Sequence, residues 1–391
     1  MAVHAPEVIE ALRAVGARVG ARRIVLALKA HYSESVDAVR PFLEGDQTVE
    51  LCLLGDTYPS GDEHVLVHEV TGRVVPEGGI PPDVSVVVQN VTTLLNIRRA
   101  MDGIPVTHRP LTVAGDVARP GVFEVPLGIS CSEVVAAAGG ATGRGAVLVE
   151  GGPMMGAILQ DWDTPVRKTT SGLLVLAADH PVVLARTARP ADFFRRALSV
   201  CCQCRACTDQ CPRALLGHRI RPHLAMRALL AGREIPSDVL SMGFLCSQCG
   251  VCETWACPMG LSPRYILGEF KARLFEGKVT NPYRDRPDRA LDAQAWIRVP
   301  KGRLSMRLGL ADVHPPPGTP IPVKAAWEVR IPLKQHVGAP AVARVRRGDR
   351  VRIGQCIGDI PQGALGARIH ASMDGVVTYV DGAGVRISRE A

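Results

Sequence analysis

Nine of the chain's twelve cysteines lie within residues 201–257, and eight of them form two ordered runs. Cys201, Cys204, Cys207 and Cys211 are followed by Pro212; Cys246, Cys249, Cys252 and Cys257 are followed by Pro258. The first run spells CxxCxxCxxxCP, and the second carries one extra residue before its last cysteine. A disulfide framework needs an oxidising compartment and usually a small secreted domain. This chain has 391 residues and opens on MAVHAPEVIEALRAVG, an amphipathic helix start without the apolar centre of a signal peptide. Zinc is usually held by two CxxC pairs, which would leave the third cysteine of each triplet surplus. Thiol redox chemistry needs one pair, not eight ordered cysteines.

The spacing is that of a bacterial two-cluster ferredoxin. Three cysteines at every third position in a tight loop can present their sulfurs to three corners of one iron–sulfur cube. The fourth, just before proline, enters a helix that leads away and normally ligates the other cube. The expectation is one [4Fe-4S] cluster on Cys201, Cys204, Cys207 and Cys257, and a second on Cys246, Cys249, Cys252 and Cys211. Cys202 is a bystander, and the isolated Cys52, Cys131 and Cys356 read as core residues.

A chain of this length should hold two to four domains. Apolar residues, at 47%, can supply a core for each. Aromatics are only 4%, which counts against a nucleic-acid surface built on base stacking. The net charge of +8 is dispersed along the chain and reads as solvated surface. Arg205, Arg213, Arg219 and Arg221 lie near the first run and would favour the reduced state of an anionic cluster there. No apolar run reaches the length of a membrane span; SGLLVLAA at 171–178 is the best candidate. With the cysteines, a reducing cytoplasm is expected.

In chain order, helical spacing of Val8, Ile9, Leu12 and Val15 predicts a helix over 7–19. A buried parallel strand at 24–29, a helix over 33–43 and strands at 49–54 and 84–88 should follow, giving an α/β layer through residue 105. Two polar segments, 56–63 and 89–93, stand at strand ends, where open α/β sheets bind ligands and where ordinary turns also occur. Residues 106–158 alternate short β runs with one helix, as a β-grasp-like module does. Their glycines are not framed as a dinucleotide-binding loop, and GGPMMG at 151–156 is a tight turn. Residues 159–186 read as a connector, and 187–275 as a helical ferredoxin-like domain entered by a helix over 191–200. A basic helix over 215–232, interrupted at Pro222, carries His218 and His223 as surface or packing residues. Residues 276–325 read as a linker with one short helix. Residues 326–391 read as an all-β barrel-sandwich hybrid. Its hairpin tip, Met373-Asp374-Gly375, has no lysine to modify, so it is expected to dock or brace.

Taken together, DTYPSGDE, VVQNVTTLLN, GGPMMG, the doubled cysteine motif and the stretch from QHVGAP to HASMDGVV resemble the cobalamin reductases of propanediol utilisation. More distantly the chain is similar to RnfC and to the NADH-binding flavoprotein subunit of complex I. The likeness runs from about residue 10 to the C-terminus, and a C-terminal barrel favours the cobalamin reductase type. The resemblance implies a complex-I-flavoprotein-like domain, N-terminally shortened, then an SLBB module, the two-cluster domain and an RnfC-type barrel. It implies FMN as cofactor, NADH as donor and cobalamin as acceptor, cob(III)alamin being taken to cob(II)alamin or cob(I)alamin in support of a diol dehydratase. Tyr58, Gly61, Asp62 and Glu63 would then belong to the flavin and nucleotide loop, and Asn90 with Thr93 would lie near the flavin phosphate. The implied partners are a corrinoid adenosyltransferase and the shell proteins of a bacterial microcompartment. A subunit or segment completing the flavin domain is also implied, because family members begin with a Gly-rich loop that precedes the first residue here. No side chain stands out as a general acid or base, as expected where cofactors do the chemistry. Two other readings are a relay subunit of a larger NADH/ferredoxin oxidoreductase on the RnfC pattern, and a scaffold anchored to a shell by its barrel.

Overall fold

Helix α1 (Ala5–Arg18) buries Val8, Ile9 and Ala11 and runs out before Gly20, whose φ is +63°. It leads into β1 (Ile24–Lys29), α2 (Ser33–Val39) and β2 (Val49–Leu54). The two strands pair in parallel, from Ile24 opposite Val49 to Lys29 opposite Leu54. Ala5, Ile9, Leu26, Leu28, Val36, Val39 and Val49 share the core beside them. The helix expected over 33–43 stops at Val39 and continues as a 3₁₀ turn over Arg40–Phe42, where Pro41 can donate no helical hydrogen bond. The computed structural model describes residues 1–45, 48–228, 234–313, 318–325 and 327–390.

Strand β3 (Thr57–Tyr58) and α3 (Glu63–Thr71) follow, the helix capped by the Asp62 carboxylate and closed by Gly72 at φ +70°. The strand expected at 84–88 does not form. Residues Pro81–Val84 make a 3₁₀ turn and Ser85 adopts φ +56°. Arg73 Nη1 donates to the Val84 carbonyl at 2.8 Å, so a group that a ladder would use is already taken. Val86 and Val88 still pack on Val67, Val75 and Val84. The apolar run signalled burial, and burial here needs no strand pairing. The parallel sheet of this region therefore has two described strands in place of the broader expected layer.

Next come α4 (Val91–Met101), β4 (His108–Gly115), β5 (Gly121–Pro126), α5 (Cys131–Ala137), β6 (Ala146–Glu150), β7 (Ala157–Leu159) and β8 (Gly172–Ala177). The helical stretch holds α6 (Pro181–Thr187), α7 (Pro190–Val200), α8 (Ala206–Asp209), α9 (Pro212–Leu215), α10 (Pro222–Ala228), α11 (Ser237–Ser241) and α12 (Pro263–Glu276). The helix expected over 215–232 is thus divided between α9 and α10, and residues 229–232 lie outside the described residues. His218, between these helices, is buried, with Nε2 2.9 Å from the Val75 carbonyl. The expected linker supplies β9 (Val299–Pro300), which pairs with β3, then α13 (Lys301–Arg307) and β10 (Ile321–Pro322).

The C-terminal stretch is all-β: β11 (Glu328–Pro332), β12 (Val342–Ala343), β13 (Arg350–Val351), β14 (Cys356–Asp359), β15 (Ile369–His370), β16 (Gly375–Val380) and β17 (Gly384–Ser388). These make a four-stranded sheet, ordered β11-β17-β16-β13, and a three-stranded sheet, ordered β12-β14-β15. Met1–Leu94 with Thr187–Gly309 form one compact unit, and Leu95–Arg186 with Leu310–Ala391 form another.

In the second unit the sheet order is β10-β5-β4-β8-β6-β7. Residues 159–186 are therefore more than the expected connector: they deliver β8, a central strand with Leu173, Leu174, Val175 and Leu176 all buried. Gly115, at φ +88°, lets β4 lie against it, because a Cβ there would sit 2.0 Å from the Val175 carbonyl oxygen. This sheet and the C-terminal β modules share one core that runs from Leu111 and Val113 to Val385 and Ile387. The hairpin residue Ser372 is buried and donates to the Leu127 carbonyl at 2.5 Å.

Candidate metal centres

Helix α7 ends at Val200 and hands the chain to the first cysteine loop with Cys201 as its C-cap. Backbone sign changes then turn the loop: Gln203 has φ +56° and Arg205 φ +65°. The second loop repeats the device, with Gln248 at φ +59° and Gly250 at φ +80°. In each, a glutamine Nε2 donates to the first cysteine sulfur at 3.2 Å, Gln203 to Cys201 and Gln248 to Cys246. The extra residue before Cys257 is taken up by a π-helical turn over Val251–Ala256, a wider turn than the one made by α8 in the first loop.

The eight cysteines fall into two groups of four. Cys201, Cys204, Cys207 and Cys257 line one cavity, whose wall also holds Cys202, Gln203 and Arg205. Cys211, Cys246, Cys249 and Cys252 line another with Arg213 and Arg264. Each group thus takes three sulfurs from one loop and the pre-proline sulfur of the other. Among the described residues, no three His, Cys, Asp or Glu side chains converge as they would round a single ion. Burial pushes the Cys207 and Cys211 thiols up to about 12 and Cys246 to about 11, with neighbouring sulfurs adding to the rise. Thiolate ligation at these positions therefore depends on the positive charge that iron brings.

The two groups differ in cover. All four cysteines of the second are buried, whereas in the first Cys204 is exposed and Cys201 partly so; the bystander Cys202 is exposed as well. Over the second, the Tyr58 hydroxyl donates to the Cys249 carbonyl at 2.7 Å, and Arg213 Nη2 pairs with Asp62 at 2.9 Å. Arg213 Nε and Nη1 are buried with no hydrogen-bond partner, at the wall of the second cavity. An anionic cluster with sulfur acceptors fits that vacant donor pair. Of the other arginines noted in the sequence, Arg205 lines the first cavity, while Arg219 pairs with Glu77 and Asp285.

Tyr58 lines a cavity with Thr57, Ser60, Val65, Arg298 and Val299, in which Gly61, Asp62, Glu63, Asn90 and Thr93 take no part. Burial raises the Tyr58 hydroxyl above its ordinary value, as suits a donor fixed on a carbonyl. Asp62 caps α3, accepting from the His64 and Val65 backbone N–H groups, while Gly61 and Glu63 are exposed beside it. Asn90 accepts from the Thr92 N–H at 2.8 Å, and with Thr93 it frames the exposed start of α4. The contacts that tie Tyr58 to the second loop and Asp62 to Arg213, just past the first run, carried no motif in the sequence. The glutamine contacts did leave a signal, the repeated CxQC.

Residues 1–99 match the Nuo51 FMN-binding domain, 110–157 the SLBB domain, 200–262 a 4Fe-4S dicluster domain and 319–389 the RnfC barrel sandwich hybrid domain. The chain is 43% identical over 372 residues to cobalamin reductase PduS of Salmonella typhimurium, covering 95% of this chain and 81% of that protein. With PduS of Citrobacter freundii it shares 41% over 392 residues, covering 100% and 86%. The chain belongs to the PduS cobalamin reductase family. Like its PduS relatives it is an oxidoreductase, with a flavin domain and an iron–sulfur dicluster domain in one polypeptide. A component of the ion-translocating oxidoreductase complex of Erwinia tasmaniensis is 33% identical over 219 residues, which span 56% of this chain and 26% of that one. No described helix of this PduS relative is long and apolar enough to cross a membrane.

Proposed function

We propose that the chain carries electrons from NADH by way of FMN and two [4Fe-4S] clusters to cobalamin. The observation that carries this reading is the crosswise grouping of Cys201, Cys204, Cys207 and Cys257 against Cys211, Cys246, Cys249 and Cys252 in a member of the cobalamin reductase family. When bound, the flavin would take an electron pair from a nicotinamide and the clusters would pass single electrons to the corrin cobalt. The protein's part is to hold and insulate: the cysteines supply sulfur, Arg213, fixed by Asp62, supplies buried donors, and Tyr58 holds the second loop at the Cys249 carbonyl. Asn90 and Thr93 would receive the flavin phosphate at the start of α4, with Gly61 and Glu63 beside α3 as further flavin contacts. By family resemblance, the working partners would be a corrinoid adenosyltransferase and microcompartment shell proteins.

The deciding experiment is an anaerobic NADH titration of the purified chain with added FMN, following flavin and cluster absorbance together. Bleaching of both supports a complete reductase. A second reading, a relay on the RnfC pattern, is favoured by Tyr58 and Asp62, which are engaged on the Cys249 carbonyl and on Arg213 beside the second cysteine cavity. Clusters that bleach with dithionite but never with NADH would support the relay. A chain that fails to reduce cob(III)alamin with any donor would sink the cobalamin assignment itself.

A further inference from the structure

Between their first and last cysteines the two loops share one residue type at one position: Gln203 stands two positions after Cys201, and Gln248 two after Cys246. Both adopt positive φ, where a side chain is disfavoured and glycine would sit freely. Among the described residues only five non-glycines do so, and Gln203, Arg205 and Gln248 are three of them. Each glutamine amide is held at both hydrogens. Gln203 Nε2 donates to Cys201 Sγ at 3.2 Å and to the His223 carbonyl at 3.1 Å. Gln248 Nε2 donates to Cys246 Sγ at 3.2 Å and to the Arg264 carbonyl at 3.4 Å. Room for the second amide comes from Gly268 inside α12, where a Cβ would sit 3.3 Å from Gln248 Oε1. Glycine within a helix is itself unfavourable, so two local costs converge on the placement of one amide.

We infer that Gln203 and Gln248 are positioning residues for the metal centres, each donating an N–H···S hydrogen bond to the first cysteine of its loop and so raising the reduction potential of the cluster held there. A donor on a ligand sulfur draws off negative charge, and the more electron-rich reduced state gains more from this than the oxidised state. The inference rests on the reading that each group of four cysteines holds a cluster. Because the two amides act on different groups, each should govern one potential.

The test is a mediated redox titration of the purified, iron-loaded chain, read by electron paramagnetic resonance, for wild type and for Gln203→Met and Gln248→Met. Methionine keeps the length and removes the donor. Each variant should lower one of two midpoint potentials, a different one in each case, at unchanged iron content. Gln203→Gly and Gln248→Gly relieve the backbone and should produce the same downward shifts. Potentials unmoved in fully loaded variants would overturn the inference while leaving the cluster reading intact. A wild-type chain with no iron and no paramagnetic signal on reduction would overturn both. Glycine variants that lose their iron would also overturn it, because the glutamines would then serve to build the loops.

Discussion

Arg213 serves two neighbours at once. One face of its guanidinium pairs with Asp62, both side chains about nine-tenths buried, and the other presents unpartnered N–H groups to the second cysteine cavity. Removing one member of a buried pair strands the other charge, at a cost of about 3–5 kcal/mol. Arg213→Ala should therefore lower the unfolding free energy by about that much, and Arg213→Met with Asp62→Asn should recover part of it. Chemical denaturation of the single and double variants gives the comparison. His64 lies on the same side of α3, its ring 5.5 Å from that of His218. Burial, assisted by the Arg213 charge, depresses His64 from 6.5 to about 3. Its neutral form thus stabilises the fold fully above about pH 6.5, and that contribution fades as pH falls toward about 3, where the unfolded chain binds the proton first. Urea midpoints at pH 7.5 and 5.5 should differ less in His64→Gln than in wild type. The difference should not vanish, because burial also depresses His68 and His218. Neither the pairing of Arg213 with Asp62 nor the histidine pair was legible in the sequence, since each joins residues about 150 positions apart.

Whole elements followed the sequence where the pattern was local. The α1, β1, α2 and β2 series, the entry helix α7 and the β-rich end each form where spacing or strand propensity predicts. Two failures were long-range. VSVVV is as apolar as a strand, yet Arg73 and the turn at Ser85 give its backbone other partners. SGLLVLAA reads as part of a connector, yet it is β8, with a neighbour on each side taken from β4 and β6. Leu173→Ala within it should cost about 2–5 kcal/mol, because Leu173 is buried between strands and the sheet cannot collapse into the gap. Thermal unfolding would measure it. At the cysteine loops, the exposure of Cys204 against the four buried sulfurs of the second group predicts two rates of iron loss. An iron chelator should remove one cluster's signal well before the other, and the early loss should be that of the Cys201, Cys204, Cys207 and Cys257 group. A single rate for both would contradict the difference in cover.

Across the molecule, sequence neighbours and structural partners diverge. The second unit is assembled from residues before and after the cysteine domain, and its core joins Leu111, Val113 and Phe123 to Val329, Ile357 and Ile387. A chain ending at residue 325 would uncover that core, so it should become open to proteolysis between residues 106 and 177; an intact, soluble product would show that the SLBB module folds without the barrel. Which cysteines make up each run could be read from residue order alone, because spacing within a loop is a short-range property that survives without a fold, whereas the crosswise place of Cys211 and Cys257 was expected from the ferredoxin pattern. The order of modules was equally legible there. It took the folded chain to make β8 a central strand, to set Tyr58 on the second loop and Asp62 on Arg213, and to keep two donors of Arg213 vacant at the wall of the second cavity. Each of those facts depends on which distant backbone or charge arrives first to satisfy a buried polar group, and no window of local sequence carries that information.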